Sequence, residues 1–265
     1  EIINMSSLIT DQGSVHYEVY GRGRPVILLH GWLESWGLWQ ETMDFLGSSY
    51  RTYAIDFWGF GESDKRRESF SVPDFVLLVN DFMEKLGIKH APLVGHSMGG
   101  TVSLSVAINY PERVSKVVVI GSPIEGSSLS VLLKLASFRT IAKLVYGMMD
   151  ALKIGIRIAA PIITRESQWP AMIHKDLNHV TMESFLLSIS SLRQTNLTSQ
   201  LAPIYQPVMG MYGDRDVIVN PNQWSILDTY LQRVQIERFQ KAGHFIMLDE
   251  PHRFKNTLKA YLDSY

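Results

Sequence analysis

The stretch Ala91-Pro92-Leu93-Val94-Gly95-His96-Ser97-Met98-Gly99-Gly100 decides how this chain is read. Ala91–Val94 is a short apolar run, as in a strand buried on both faces, and the residues from Met98 to about Tyr110 predict a helix. Between them stands the pattern G-x-S-x-G. A strand that turns at once into a helix must hold its apex residue in a strained backbone conformation. Glycines two positions to either side remove the Cβ atoms that would collide there. The apex hydroxyl, on Ser97, is thereby lifted above the sheet edge. It lies beside the free N–H groups of a helix start, which favour developing negative charge. Alone, the pattern is equally well a serine at a glycine-rich turn. Its strand-to-helix context gives it weight.

Outward from this turn, strands are expected at Ser14–Tyr20, Pro25–Leu29, Arg51–Ile55, Val114–Ile120, Val208–Tyr212 and Val234–Phe239. Helices are expected at Val72–Leu86, near Pro221–Tyr230 and from about Glu250. Strands alternating with helices imply an α/β domain with a mostly parallel, doubly wound sheet. The alternation lapses for the 87 positions from Ile120 to Pro207. That is too long for a structureless loop in a compact domain, so the segment must carry helices of its own. The expected organisation is a core of residues 1–122 and 205–265, interrupted by a helical insertion at 123–204.

Part of the insertion is amphipathic. At about 100° per residue, Lys143, Asp150, Lys153 and Arg157 lie with Arg139 on one side. Ile141, Leu144, Val145, Met148, Met149, Leu152 and Ile156 lie on the other. This is a helix, or a helix pair broken at Gly147 or Gly155, that packs its apolar face on the body and leaves a solvated basic face. A membrane-surface helix with a cationic polar face is the second reading.

Composition excludes several classes. The chain has 265 residues, 46% hydrophobic and 19% charged, which rules out disorder and fibrous repeats. Its 25 basic and 26 acidic residues leave no basic footprint for nucleic acid. Having no cysteine, it has no disulfide, thiolate nucleophile or thiolate zinc site, and an intracellular, cytoplasmic setting is the default. Glu1-Ile2-Ile3-Asn4 does not start a signal peptide, and the residues before Met5 need not be native. The longest stretch without Asp, Glu, Lys or Arg, from Ala91 to Pro111, is broken by Pro92, His96, Gly99, Gly100 and Asn109, so no stable membrane insertion is expected. Whether the chain forms a homo-oligomer is not readable.

The chemistry needs partners for Ser97. A serine hydroxyl attacks only with an adjacent imidazole base, and that imidazole needs a carboxylate to fix its tautomer and stabilise its charged form. Gly213-Asp214-Arg215-Asp216 follows one strand, and Ala242-Gly243-His244-Phe245 follows the last. Ser97, Asp216 and His244 thus all fall at strand C-termini, where ligands gather in open parallel sheets. Among eight histidines only His244 follows a strand within a glycine-bearing turn near the chain end. His30 and His96 belong to other turns and are given structural roles. His174 and His179 lack a neighbouring carboxylate pattern, and no metal site is expected there. Asp214, two residues away in the same turn, remains a rival of Asp216 for the acid. After Pro25–Leu29 comes His30-Gly31-Trp32, whose glycine lets the chain fold over the nucleophile. The N–H of Trp32 can then pair with that of Met98 to hold a tetrahedral oxyanion.

VILLHGW at 26–32, DFWGFGESD at 56–64, LVGHSMGG at 93–100, YGDRDVIV at 212–219 and AGHFIMLDEP at 242–251 resemble the α/β-hydrolase superfamily over nearly the whole chain. The resemblance implies a helical cap between the sixth and seventh core strands. It also implies Ser97 as nucleophile, His244 as base, Asp216 as acid and the N–H groups of Trp32 and Met98 as oxyanion donors. Asp56 would shape a loop, and Glu125, just past Val114–Ile120, stands where some members of the superfamily place the acid, a rival to Asp216. Haloalkane dehalogenases and epoxide hydrolases of this fold carry aspartate where this chain has Ser97. Carbon–carbon bond hydrolases usually have a glycine-rich segment where it has Trp32-Leu33-Glu34. HGW with GHSMGG looks more like cofactor-free esterases and perhydrolase-type relatives.

The expected activity is therefore cleavage of small to medium, largely apolar carboxylic esters through an acyl-enzyme, with no cofactor and no metal. Its partner is a small-molecule ester, and its pocket is expected to include Leu33, Met148, Met149, Val217 and Phe245. A carbon–carbon hydrolase using the same triad and a ligand-binding receptor that retains the triad are the alternatives.

Overall fold

Eight strands form one sheet in the computed structural model, which describes residues 6–164 and 166–264. The expectation about residues 1–4 lies outside them. The strands are β1 (Ser6–Thr10), β2 (Gly13–Gly21), β3 (Arg24–Leu29), β4 (Tyr50–Ile55), β5 (Ala91–His96), β6 (Val114–Ile120), β7 (Val208–Gly213) and β8 (Val234–Phe239). Their order across the sheet is β1-β2-β4-β3-β5-β6-β7-β8. The pairings of β1 with β2 and of β2 with β4 are antiparallel, and all the others are parallel.

Every residue of β7 and the last four of β3, β5 and β6 are buried, which is why these strands read as continuous apolar runs. The edge strand β1 escapes such a reading: Ser6-Ser7-Leu8-Ile9-Thr10 is short, and its Ile9 is exposed.

Core helices flank the sheet: α1 (Gln40–Leu46), α2 (Val72–Lys85) and α3 (Met98–Asn109) before the cap. Helix α2 starts on a capping box in which Ser71 Oγ accepts from Asp74 N while the Asp74 carboxylate accepts from Ser71 N. It buries Phe75, Leu78, Val79 and Phe82, the side expected from their spacing. Helix α3 is buried from Met98 to Ala107, so its sequence shows no polar face.

Between β6 and β7 lies a helical cap: α4 (Val131–Ala136), α5 (Arg139–Gly147), α6 (Met149–Ile163), α7 (Trp169–Leu177) and α8 (Met182–Gln194). The break in the amphipathic stretch falls at Gly147–Met148, and α6 runs unbroken through Gly155. Helices α9 (Gln223–Tyr230), α10 (Ile246–Asp249) and α11 (Pro251–Asp263) complete the core. Polar ties fasten the cap: Ser35 Oγ donates to Asp176 Oδ1 at 2.7 Å, Thr164 Oγ1 to Asp249 Oδ1 at 2.7 Å, and Val72 N to Ser191 Oγ at 3.0 Å.

The central neighbours β3 and β5 matter most for function. From β3 the chain goes on to β4 on one side, and from β5 it goes on to β6 on the other. This is the switch point at which open α/β sheets leave a crevice beyond the strand C-termini. The turns after β3 and β5 both open into it.

Candidate active site

Ser97 stands between the last residue of β5 and the first of α3 with φ 49° and ψ −117°, the left-handed side of the backbone map that a residue with a Cβ rarely occupies. The surroundings hold it there. Ser97 N donates to Ile120 O at 2.8 Å, and its own carbonyl accepts from Gly100 N at 3.0 Å. A Cβ on Gly95 would strike the Gly99 carbonyl, and one on Gly99 would strike the backbone of Leu29. The two motif glycines therefore allow α3 to start against β3 and β5.

Asp216 follows β7 and is buried. Its Oδ1 accepts from Ile218 N at 2.8 Å and Val219 N at 2.9 Å, and its Oδ2 lies 2.7 Å from His244 Nδ1. A carboxylate only accepts, so Nδ1 carries the proton and Nε2 is the ring nitrogen left for other work. Burial works to lower the pKa of His244. The charge and hydrogen bond of Asp216 outweigh it, holding the ring above the ordinary imidazole value. The rival carboxylates are engaged elsewhere: Asp214 Oδ1 lies 3.0 Å from Arg238 Nε, and Glu125 Oε1 accepts from Thr198 Oγ1 at 3.0 Å. Among the described residues, Ser97 Oγ has no hydrogen bond to His244 Nε2, although both residues line one cavity.

The turn after β3 is built from His30 to Glu34. His30 Nδ1 donates to Gly31 O at 2.7 Å and its Nε2 accepts from Phe57 N at 3.0 Å; burial pushes its pKa down, in keeping with a neutral ring. Leu33 takes φ 64°. Trp32 Nε1 donates to Phe185 O at 3.3 Å and its ring lies 4.8 Å from that of Phe185, so the side chain fastens the turn to α8. The Trp32 N–H is left without a partner among the described residues. Met98 begins α3, and its N–H has no intrahelical acceptor. Asp56 accepts from Trp36 N at 2.7 Å and Glu62 N at 3.0 Å and lies 2.7 Å from His16 Nδ1, holding the loop after β4.

The cavity above Ser97 measures about 240 Å³. Apart from Ser97, His244 and Glu34 its lining is apolar, drawn from the turns after β3, β7 and β8, from Leu129 and from α4 to α8. Of the five residues expected there, Leu33 and Phe245 line it. Met148, Met149 and Val217 do not. Met148 sits where the helix breaks between α5 and α6, and it is exposed. The Asp216 carboxylate draws in the N–H groups of Ile218 and Val219, so that Ile218 lines the cavity and Val217 is exposed. Leu152 and Ile156 of α6 take the place expected of the methionines.

A family model for the α/β hydrolase fold matches residues 24–153. A hydrolase from Pseudomonas aeruginosa PA01 superposes with a TM-score of 0.87 over 100% of both chains, at 17% identity. An esterase from Exiguobacterium antarcticum gives 0.84 over 99% of this chain and 98% of its own, at 21% identity. The chain has the α/β-hydrolase fold. Among curated relatives, the pimeloyl-[acyl-carrier protein] methyl ester esterase of Vibrio campbellii is 26% identical over 259 residues, 91% of this chain and 95% of that one. Epoxide hydrolase 4 of Mus musculus is 37% identical over 120 residues, 43% of this chain and only 33% of that one.

One part of this hydrolase's site went unread in the sequence. Buried Glu34 accepts from Gly31 N at 2.6 Å, and the same oxygen lies 3.0 Å from His96 Nδ1. Nε2 of His96 lies 3.1 Å from the His244 carbonyl oxygen. One glutamate therefore braces the turn after β3, the elbow strand and the backbone of His244. Burial works to raise its pKa, but His96 and the Gly31 N–H outweigh burial and hold it below the usual carboxylate value. The only signal was an acid inside Trp32-Leu33-Glu34-Ser35-Trp36.

Proposed function

We propose that this hydrolase cleaves small to medium, largely apolar carboxylic esters through an acyl-enzyme on Ser97. The observation that carries the reading is the composition of the cavity: Ser97 and an Asp216-backed His244 are set in an otherwise apolar lining. Ser97 Oγ attacks the ester carbonyl carbon and gives its proton to His244 Nε2. The oxygen that becomes negative is held by the N–H groups of Trp32 and Met98. Losing one such donor typically costs about 10²–10³ in rate. The tetrahedral species collapses, and the alcohol leaves with the proton from His244. Water then attacks the acyl-serine carbonyl and loses a proton to His244. On the second collapse the acid departs and Ser97 Oγ recovers its proton. Asp216 stays ionised throughout, fixing the tautomer of His244 and stabilising its charged form.

On this reading residues 1–122 and 205–265 form the hydrolytic core, and residues 123–204 roof the pocket. Leu33 and Phe245 bound the pocket from the core side. The esterases among its relatives and structural neighbours support an ester as substrate. A cavity of about 240 Å³ is at the small end of ligand pockets, which favours short to medium chains. The test is pre-steady-state release of p-nitrophenol from p-nitrophenyl butyrate. One equivalent per chain, followed by steady turnover, is expected, and Ser97→Ala should abolish both while remaining folded. More than a tenth of wild-type kcat in folded Ser97→Ala protein would reject the assignment.

A further inference from the structure

The cap helices that roof the cavity are apolar on their outer side too. On α6, Leu152, Ile156 and Ile163 line the cavity, whereas Ile154, Ile158 and Ile162, spaced by four, are 61%, 74% and 69% exposed. Helix α4 packs on α5 and α5 on α6; these neighbours add exposed Val131 and Leu144, and the break between α5 and α6 adds exposed Met148. Solitary exposed aliphatic residues are ordinary, but a group spread over three adjoining helices marks an interaction surface.

Its charge says what kind. Residues 131–163 hold Lys134, Arg139, Lys143, Lys153 and Arg157 against a single acid, Asp150, for a net charge of +4, whereas the whole chain carries −1. The charge is therefore concentrated on α4 to α6, while the rest of the molecule is acidic. Arg139, Lys143 and Arg157 are exposed and form no ion pair among the described residues. Apolar side chains interleaved with unpaired cations complement a surface of anionic headgroups over acyl chains. A second copy of the chain would bring +4 against +4. At 15 residues α6 is shorter than the roughly 20 needed to span a bilayer, and no described helix is long and apolar enough to cross one. Leu132 connects the two sides: it lines the cavity and is 73% exposed, so apolar surface continues from the outside into the pocket.

We infer that the outer face of α4–α6 docks in the plane of an anionic phospholipid bilayer, so that a lipophilic ester passes from the membrane along Leu132 into the cavity over Ser97. The inference rests on the ester-hydrolase reading for its substrate. Docking itself does not require turnover.

The experiment separates the two. Ser97→Ala protein is floated with vesicles of phosphatidylcholine, with and without phosphatidylglycerol. Binding to the anionic vesicles is expected to be about tenfold or more tighter. It should weaken sharply in 1 M salt, where the screening length falls to about 3 Å. The triple variant Ile154→Gln, Ile158→Gln, Ile162→Gln should bind at least about tenfold less while hydrolysing soluble p-nitrophenyl butyrate as the wild type does, which also shows that it folds. The double variant Lys143→Glu, Arg157→Glu should lose the preference for phosphatidylglycerol. Absence of vesicle binding, or binding unchanged in the triple variant, overturns the inference. So does a dimer in sedimentation that the triple variant dissolves, because a second copy would then cover the face. Vesicle binding without hydrolysis of any ester would instead reject the proposed activity and leave docking standing.

Discussion

The smallest unit that can be tested is the Asp216–His244 pair. On the proposed mechanism His244 must be neutral to take a proton from Ser97, and Asp216 holds its ring above the imidazole value of 6.5. kcat/KM should therefore rise with pH through one ionisation whose midpoint lies above 6.5, and then level off. In Asp216→Asn the opposing effect of burial is left in command, so the midpoint should move down. The plateau kcat should fall by about 10⁴ as tautomer control is lost. A stopped assay from pH 5 to 9 on both proteins checks this. A larger loss in Asp214→Asn or Glu125→Gln would move the acid elsewhere. At this scale the sequence was informative about placement: Asp216 and His244 stand in the turns after β7 and β8, and Oδ2 of the one lies 2.7 Å from Nδ1 of the other. Glu34 was not legible: its partners Gly31 and His96 meet only when β3 and β5 pair.

Between elements, the junction of α7 with the turn after β3 carries its own titration. The Asp176 carboxyl is pushed up to about 7, chiefly by burial and then by the charges of Asp56 and Glu34, against the hydrogen bond from Ser35. An unfolded chain releases this proton near 3.8, the ordinary value of the group, while the folded chain keeps it to about 7. Across that window the folded state binds more protons, so stability falls as pH rises. Asp176→Asn keeps an acceptor for Ser35 and removes the ionisation. It should melt above wild type at pH 8, with the difference vanishing near pH 4. Thermal melts at the two pH values decide it, and a variant that melts lower at pH 8 would mean that the carboxylate is stabilised where it stands. One helix was legible almost to the residue: Val72–Leu86 was expected from the spacing, and α2 runs Val72–Lys85. The break at Met148 was placed no better than at one of two glycines, because either could end a helix and only packing chose.

For the molecule as a whole, the proposed function makes the cavity beneath the cap the limit on substrate size. Each additional buried methylene should add about 0.8 kcal/mol, roughly fourfold, to kcat/KM until the space is full. A p-nitrophenyl ester series from acetate to dodecanoate should show a medium-chain optimum, and Ile156→Trp should shift that optimum to shorter chains. Decline from acetate onward in the wild type would show a pocket closed to longer acyl groups.

The chain on its own determined most of the sheet, the turn at Ser97 and the order of the turns that carry Ser97, Asp216 and His244. Strand runs such as Val114–Ile120, the glycines around Ser97 and the carboxylate and imidazole after the last strands answer to local sterics and chemistry. Those act over a few residues, whatever the rest of the chain does. What covers each surface was decided only in three dimensions. Leu144 and Val145 share the apolar face of the sequence pattern, yet Val145 lines the cavity and Leu144 meets solvent, because burial is set by the elements packed alongside. Met148, Met149 and Val217 left the expected pocket, and Leu152, Ile156 and Ile218 took it, for the same reason. A periodic pattern shows that a helix has faces, and the neighbours that fold against it settle which of them is inside.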